Sequence, residues 1–376
     1  MSDVLAARTR ESGIRWPVVL AASGSGLFIA LAILACVLIY LHPKVVDFLS
    51  YWAAGRLAAS GNGASAYDFD LHHAVERGVV AFTGELPFPY PPPFLLLVTP
   101  FGLMPFWAAF AAWIALTGAI YAIVMGRHGL LPYALSQPPV VANALIGQNG
   151  FLTAAIFASG LGILPRRPML GGAILGLMVI KPQLGILLPF AMVAGREWRA
   201  LAGALLSASS ALLIGLLAFG PPAYAGFFAM LRDFAPKLTA GAWPWNEIAS
   251  VYAVARFAGV PGEAPIYLQA VVAMIAAVLV CRAWWLKLDE RGAILAAATL
   301  LVPPYLLTYD ALLLAVPALW LLKHPRARWV YPLIWLLCFL PIANFFDLYP
   351  GPNTIPFAAM LCLWALHSRP ITGHAA

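Results

Sequence analysis

Charge is what this chain has least of. Only 10% of its 376 residues are Asp, Glu, Lys or Arg, against about 25% in soluble domains. With 62% hydrophobic residues and a mean hydropathy of +0.87, the chain has too little polar surface for water and belongs in lipid. It also lacks a repeat of fixed period and any polar stretch long enough to form a soluble domain. A single polytopic membrane domain over residues 1–376 is therefore expected. Cysteine is scarce. The four present, Cys36, Cys281, Cys338 and Cys362, all lie in apolar runs, which excludes a disulfide framework or cysteine metal site and marks them as small core residues. No basic stretch alternates with exposed aromatics, so the net charge of +7 does not point to nucleic acid. The Lys and Arg sit in short clusters between apolar runs, the pattern of cytoplasmic loops.

Those clusters set the expected topology. Arg8, Arg10 and Arg15 precede an apolar run that ends near Leu41. At about 25 residues it exceeds the 7–15 of a signal-peptide core, and reads as an uncleaved first span with a cytoplasmic N-terminus. Further clusters are Arg127–His128, Arg166–Arg167, Arg196–Arg199, Arg282–Arg291, Lys323–Arg328 and Arg369. With all of them on one side, outer loops fall at about 43–92 and 220–264. Residues 130–164, 168–194 and 292–322 also lie between clusters but are too short for two spans of roughly 20 residues each. Each is interrupted near its middle, by "IGQNG" (146–150), "IKPQ" (180–183) and "PPYLLTYD" (303–310). An arm of about 14 residues rises only about 21 Å as a helix, so these turns should lie within the membrane. Irregular backbone at that depth must be buried in protein or line a cavity. The expectation is an all-α membrane protein of roughly twelve spans, with both termini cytoplasmic and three polar turns meeting in a cavity that opens outward.

Polar residues in this setting are few enough to weigh singly. Lys181 is expensive at membrane depth. It either snorkels to the interface or meets a phosphate as a compact point charge. Gln148 and Asn149, between two glycines, either bond helix to helix or hold a ligand. Asp310, with Tyr305 and Tyr309, is a second ionisable site, either ligand-facing or paired with a buried cation. Tyr90 stands in "PFPYPPP" (87–93), which starts a helix whose first free N–H groups, at Phe94 to Leu96, could hold a phosphate. The "DFD" of Asp68 to Asp70 resembles a metal-binding DxD but reads better as a turn in which Asp70 caps a helix; His72 and His73 should be solvated on it. In "PKVVDFLSYWAAGRL" (43–57), a helix from about Val46 to Ala59 puts Asp47 and Tyr51 on one face, with Arg56 further along. Asp47 can either complement the helix dipole or take a proton from a hydroxyl arriving from the aqueous side.

The strings "DFLSYWAAGRLAASGNGASAYDFD", "FPYPPPFLLLVTPFGLMP", "NALIGQNGFLTAAI", "GLMVIKPQLGILLP" and "FGPPAYAGFFAML" together resemble glycosyltransferase family 87, in the same order and over about 45–320. The resemblance implies a GT-C fold in a bacterial inner membrane, with the active site facing the exterior. It implies a polyprenyl-phosphate-linked sugar donor, a mannose-like hexose or a pentose, and a glycolipid or envelope glycan acceptor, with no metal or other cofactor. Asp47 then matches the family's general base, and the donor phosphate falls near Lys181, with Tyr51, Arg56, Tyr90, Gln148, Asn149, Tyr305, Tyr309 and Asp310 as further substrate-binding candidates. At the third turn the chain departs from the family, reading "VPPYLLTYD" where relatives often carry histidine. With a single base and no second carboxylate opposite it, the expected reaction is one displacement with inversion. The alternative is a lipid or sugar transporter, since spans broken near the midplane also mark transporters.

Overall fold

The computed structural model describes residues 46–81, 86–127, 131–241, 243–322, 329–344 and 348–367. The first span, the basic N-terminus, His128, the Lys323–Arg328 cluster, Arg369 and Cys36 lie outside the described residues. Within them the protein is all-helical, apart from one isolated antiparallel bridge between Ile248 and Leu307. In chain order the α-helices are α1 (Phe48–Ala59), α2 (Phe69–Arg77), α3 (Pro92–Gly102), α4 (Phe106–Arg127), α5 (Leu131–Leu135), α6 (Pro138–Ile146), α7 (Gly150–Ile163), α8 (Pro168–Gly176), α9 (Pro182–Gly185), α10 (Leu187–Ala194), α11 (Trp198–Thr239), α12 (Val251–Phe257), α13 (Ala264–Trp285), α14 (Arg291–Thr299), α15 (Ala315–Leu322), α16 (Val330–Asn344) and α17 (Ile355–His367).

Among the described residues three helices, α4, α11 and α13, are long and apolar enough to cross a membrane. The 22 residues of α4 rise about 33 Å, enough for a hydrocarbon core of about 30 Å. Helix α11 is two helices joined at Gly220, whose φ of 72° and ψ of 174° are not helical. Pro221 and Pro222 follow directly; they lack the N–H groups a continuous helix would need there. The break falls where an outer loop is expected to begin, yet residues 221–239 remain helical.

Proline and glycine set the other boundaries. Helices α3, α6, α8, α9 and α13 each carry proline in their first two positions, where its missing N–H costs nothing and its φ is already helical. Helix α6 ends on Gly147 at φ 74°, the left-handed cap that glycine adopts without strain. Lys181 stands between a 3-10 turn (Leu177–Ile180) and Pro182, with φ −142° and ψ 72°. The following proline disfavours helical geometry at that residue, so the chain must turn there.

Small residues bring the arms together, as in most membrane bundles. Gly172 and Gly176 lie against Ala200 and Ala204 of α11, and Gly203 lies against Met169. Because residue 172 meets residue 200, α8 and α11 start at the same level, so the chain between them has gone out and returned. Gly195 meets Trp284, Gly292 meets Leu161, and Arg291 Nη2 lies 3.5 Å from Glu197 Oε1. The connections near 164–168, 195–198 and 285–291 thus gather at one end, bringing the basic residues flanking them together.

The closest approach near the site is between α1 and α3. A methyl group added at Gly102 would overlap the Gly55 carbonyl carbon and the Arg56 nitrogen, both main-chain atoms that cannot swing aside. Gly126, by contrast, has nothing within 4 Å of such a methyl. We expect Gly102→Ala to destabilise the protein by at least the 1–3 kcal/mol or so of an overpacked core. Gly126→Ala should be neutral or raise stability by about 0.5–1 kcal/mol, the helix preference of alanine over glycine. Thermal unfolding in detergent, followed by tryptophan fluorescence, checks both; equal melting temperatures would mean that α1 and α3 are not in close contact.

Candidate active site

Asp47 immediately precedes α1, outside the membrane-length helices, and its side chain does not cap the helix it starts. It accepts a hydrogen bond from Gln148 Nε2 at 2.9 Å instead. One turn on, Tyr51 is buried. Its hydroxyl donates to Gln148 Oε1, accepts from Asn149 Nδ2 at 3.0 Å and lies 2.8 Å from the Tyr90 hydroxyl. Tyr90 also donates to Gln148 Oε1, at 3.2 Å. The helix pitch explains the pairing, because residues four apart share a face.

From Asn149 the network passes to the second and third turns. Lys181 is only 2% exposed. Its ammonium donates to Asn149 Oδ1 at 3.1 Å and to Asp310 Oδ1 at 2.5 Å, and lies 4.6 Å from the centre of the Tyr309 ring. The other Asp310 oxygen accepts from Leu307 N–H at 3.2 Å. A continuous chain of hydrogen bonds thus runs Asp47, Gln148, Tyr51, Asn149, Lys181, Asp310. It joins the start of α1 to all three interrupted turns. Asn143 supports it from behind, its Oδ1 accepting from Gly150 N–H at 2.7 Å.

These groups face a cavity of about 650 Å³. Asp47, Tyr51, Tyr90, Gln148, Lys181, Tyr305, Tyr309 and Asp310 line it, while fully buried Asn149 sits behind the lining. One wall is apolar. Phe227, Leu231, Phe234 and Leu238 come from one face of the 221–239 helix, at the three- and four-residue spacing that puts side chains in one row. Burial pushes the Asp47 carboxyl above its ordinary range, while the Gln148 hydrogen bond and the Lys181 charge pull it back. A carboxylate whose proton affinity has been raised is a better base.

Several expectations need correction. Arg56 is not in the site: it is exposed and donates to the Gly102 carbonyl at 3.3 Å. Five residues beyond Tyr51 on a helix of 3.6 residues per turn, it faces well away. Asp68, not Asp70, caps α2, accepting from Leu71 N–H at 3.0 Å; the helix begins two residues earlier than expected. His72 is buried rather than solvated, with Nε2 3.2 Å from Glu76 Oε1, and His73 Nδ1 lies 3.1 Å from Glu76 Oε2. Glu76, four residues on from His72 and three from His73, is the acidic partner on the same helix face. The N–H groups of Phe94 and Leu95 are not free for a phosphate. Both turn back onto the Pro91 carbonyl, at 2.8 and 3.4 Å, and both residues are buried. Lys181 does not snorkel to the interface, since Asp310 holds it inside.

Asp47 is also not the lone carboxylate. Glu247 lines the same cavity, with Trp243, Asn246 and Asn344. The signal is in "WPWNEIAS" (243–250), an acid directly after an amide and two tryptophans.

Comparison with known proteins places this geometry. The model of glycosyltransferase family 87 matches residues 88–328, a stretch that holds Gln148, Asn149, Lys181, Glu247 and Asp310 but begins after Asp47. No curated protein and no solved structure matches the chain. The family match covers well over half of the sequence, and the chain belongs to glycosyltransferase family 87, a membrane glycosyltransferase by its family and by its apolar helices.

Proposed function

We propose that this protein transfers a sugar, a mannose-like hexose or a pentose, from a polyprenyl-phosphate carrier to a glycolipid or envelope glycan. Transfer takes place on the outer face of a bacterial inner membrane, on a GT-C-type scaffold of roughly twelve spans. One observation carries the reading: a carboxylate with raised proton affinity and a buried ammonium line one cavity, linked by the side chains of Gln148, Tyr51 and Asn149. Asp47 takes the proton from an acceptor hydroxyl as its oxygen attacks the anomeric carbon. The bond from that carbon to the phosphate oxygen breaks, and the carrier phosphate leaves with the electron pair. An ammonium has three N–H donors. Two of those on Lys181 are engaged by Asn149 and Asp310, and the third is available for the phosphate, whose growing charge a fixed cation stabilises best in a dry site. The leaving group is stable as an anion, so no general acid is required. Asp310 is held by Lys181, and Glu247 lies outside the Lys181 network; Asp47, joined through Gln148, Tyr51 and Asn149 to the ammonium, acts as the base of a single, inverting displacement. The apolar wall of the 221–239 helix suits the polyprenyl chain.

We expect Asp47→Asn, nearly isosteric but unable to take up a proton, to lower the transfer rate by about 10²–10⁴. Donor binding should change little. In the wild type kcat/KM should fall as the pH drops through the Asp47 pKa, at a pH above the ordinary aspartate value of about 3.9, because only the ionised form accepts the proton. Asp68→Asn, which alters a helix cap, should remain active. Transfer of labelled sugar from a polyprenyl-phosphate donor in nanodiscs decides this; a fully active Asp47→Asn would remove Asp47 from the mechanism.

Lys181→Met removes the phosphate's cation but also strands a buried Asp310, a loss of about 3–5 kcal/mol when one member of a buried pair goes. The double variant Lys181→Met, Asp310→Asn should recover stability without recovering donor affinity. Lys181→Arg should restore donor affinity only in part, since a planar fork replaces a point charge. Normal donor binding in the double variant would move the phosphate away from Lys181.

Sidedness can be read by labelling. Cysteines placed at exposed Asn62 and at exposed Arg196 should react with an impermeant maleimide from opposite sides of the membrane, Asn62→Cys from outside. Labelling of both from outside would overturn the hairpin reading of 168–194.

A further inference from the structure

Charge is unevenly placed in the cavity. Among its described lining residues Lys181 is the one cation, against three carboxylates on Asp47, Glu247 and Asp310. An anionic group therefore has one favourable place, beside Lys181, and meets repulsion elsewhere. Away from the Lys181 network, the lining carries a second polar group, made by the 243–250 loop and the end of α16. Asn246 Nδ2 donates to Asn344 Oδ1 at 3.2 Å. That bond uses one donor and one acceptor, and leaves the Asn246 carbonyl oxygen and the Asn344 amide hydrogens with further capacity. Glu247, the next residue, adds an exposed carboxylate, and Trp243 adds an aromatic wall held edge-to-face against Phe234 at 4.9 Å.

The loop that carries these groups is fixed in place. Glu247 N–H donates to the Pro244 carbonyl at 3.0 Å, and Ala249 N–H to the Leu306 carbonyl at 2.7 Å. Asn353 Nδ2 bridges the Glu247 carbonyl and the Thr308 hydroxyl, at 3.2 and 3.1 Å. The backbone of Glu247 is thus tied to the segment that positions Asp310. A carboxylate, an amide oxygen, an amide NH2 and an indole, held rigid on a cavity wall, match what a sugar ring offers: hydroxyls that donate and accept, and an apolar C–H face. They suit a phosphate or a carboxylate poorly, since a carboxylate stands among them and no cation does.

We propose that Trp243, Asn246, Glu247 and Asn344 form the subsite for the neutral glycosyl end of the acceptor, and select against acceptors that are anionic at that end. Its place in turnover rests on the transferase reading above; its binding of a neutral sugar does not. The test uses the full chain in nanodiscs. Saturation-transfer NMR with methyl α-mannopyranoside, and with mannose 6-phosphate for comparison, reads binding; transfer to octyl α-mannopyranoside reads turnover. We expect the neutral glycoside to bind and the phosphate to bind more weakly. Glu247→Gln and Asn344→Ala, melting with the wild type, should each weaken glycoside binding about tenfold, the loss expected for a hydrogen bond involving a charged or buried polar group. Each should raise the acceptor KM by a similar factor and leave the donor KM unchanged. Trp243→Ala supplies the same reading if either of those variants fails to fold. Unchanged glycoside binding in the variants, equal binding of the two sugars, or a rise in donor KM alone would overturn the subsite. Glycoside binding that depends on these residues, in a protein that transfers no sugar from any polyprenyl-phosphate donor, would sustain the subsite and overturn the transferase reading instead.

Discussion

A buried ammonium that must be neutralised governs the arrangement of this site. Lys181 is held away from water between two oxygens, Asn149 Oδ1 and Asp310 Oδ1. Those partners come from two other interrupted segments, so the ammonium has both oxygens only when three separate turns meet. In lipid an unpaired charge or an open backbone turn is costly, and each turn here contributes what another requires. Pro182 breaks the helix and releases Lys181, Gly147 ends α6 and delivers Gln148 and Asn149, and the 3-10 segment Thr308–Leu314 delivers Asp310. Asp47 reaches the same cluster from the start of α1 through a single amide.

The polar interruptions were legible in the sequence because so little else is polar. In a chain with 10% charged residues, a lysine or an amide pair inside an apolar run stands out, and its neighbours Pro182 or Gly147 state that the helix stops there. That was enough to nominate nine of the residues that the structure gathers at or just behind one cavity. What could not be read was partnership. Lys181 could have snorkelled or paired, and only the fold brings residue 310 to residue 181.

The misreadings have a common origin in local reasoning. Arg56 was grouped with Asp47 and Tyr51 by closeness in sequence, although the helix turns it outward to the Gly102 carbonyl. The N–H groups at Phe94 and Leu95 were counted as free because a helix start leaves donors open, yet in this proline-rich start they fold back onto Pro91. Glu247 stands beside Trp243, Trp245 and Ile248 in a loop outside any long apolar run, so nothing local marks it as cavity-lining; the bridge between Ile248 and Leu307, a contact across about 60 residues, ties its loop to the site.

The Gln148 side chain has a consequence for how the site resets. It presents its NH2 to Asp47 and its oxygen to the tyrosine hydroxyls. An amide holds its two N–H bonds and accepts only at oxygen, so it transmits polarisation from one carboxylate toward the other without passing a proton. A hydrogen ion gathered at Asp47 has no relay along this chain to Asp310, where it would neutralise the partner of Lys181. In the proposed reaction it leaves through the cavity that Asp47 lines. Each cycle would then give up the acceptor's proton within that cavity and leave the Lys181–Asp310 pair charged.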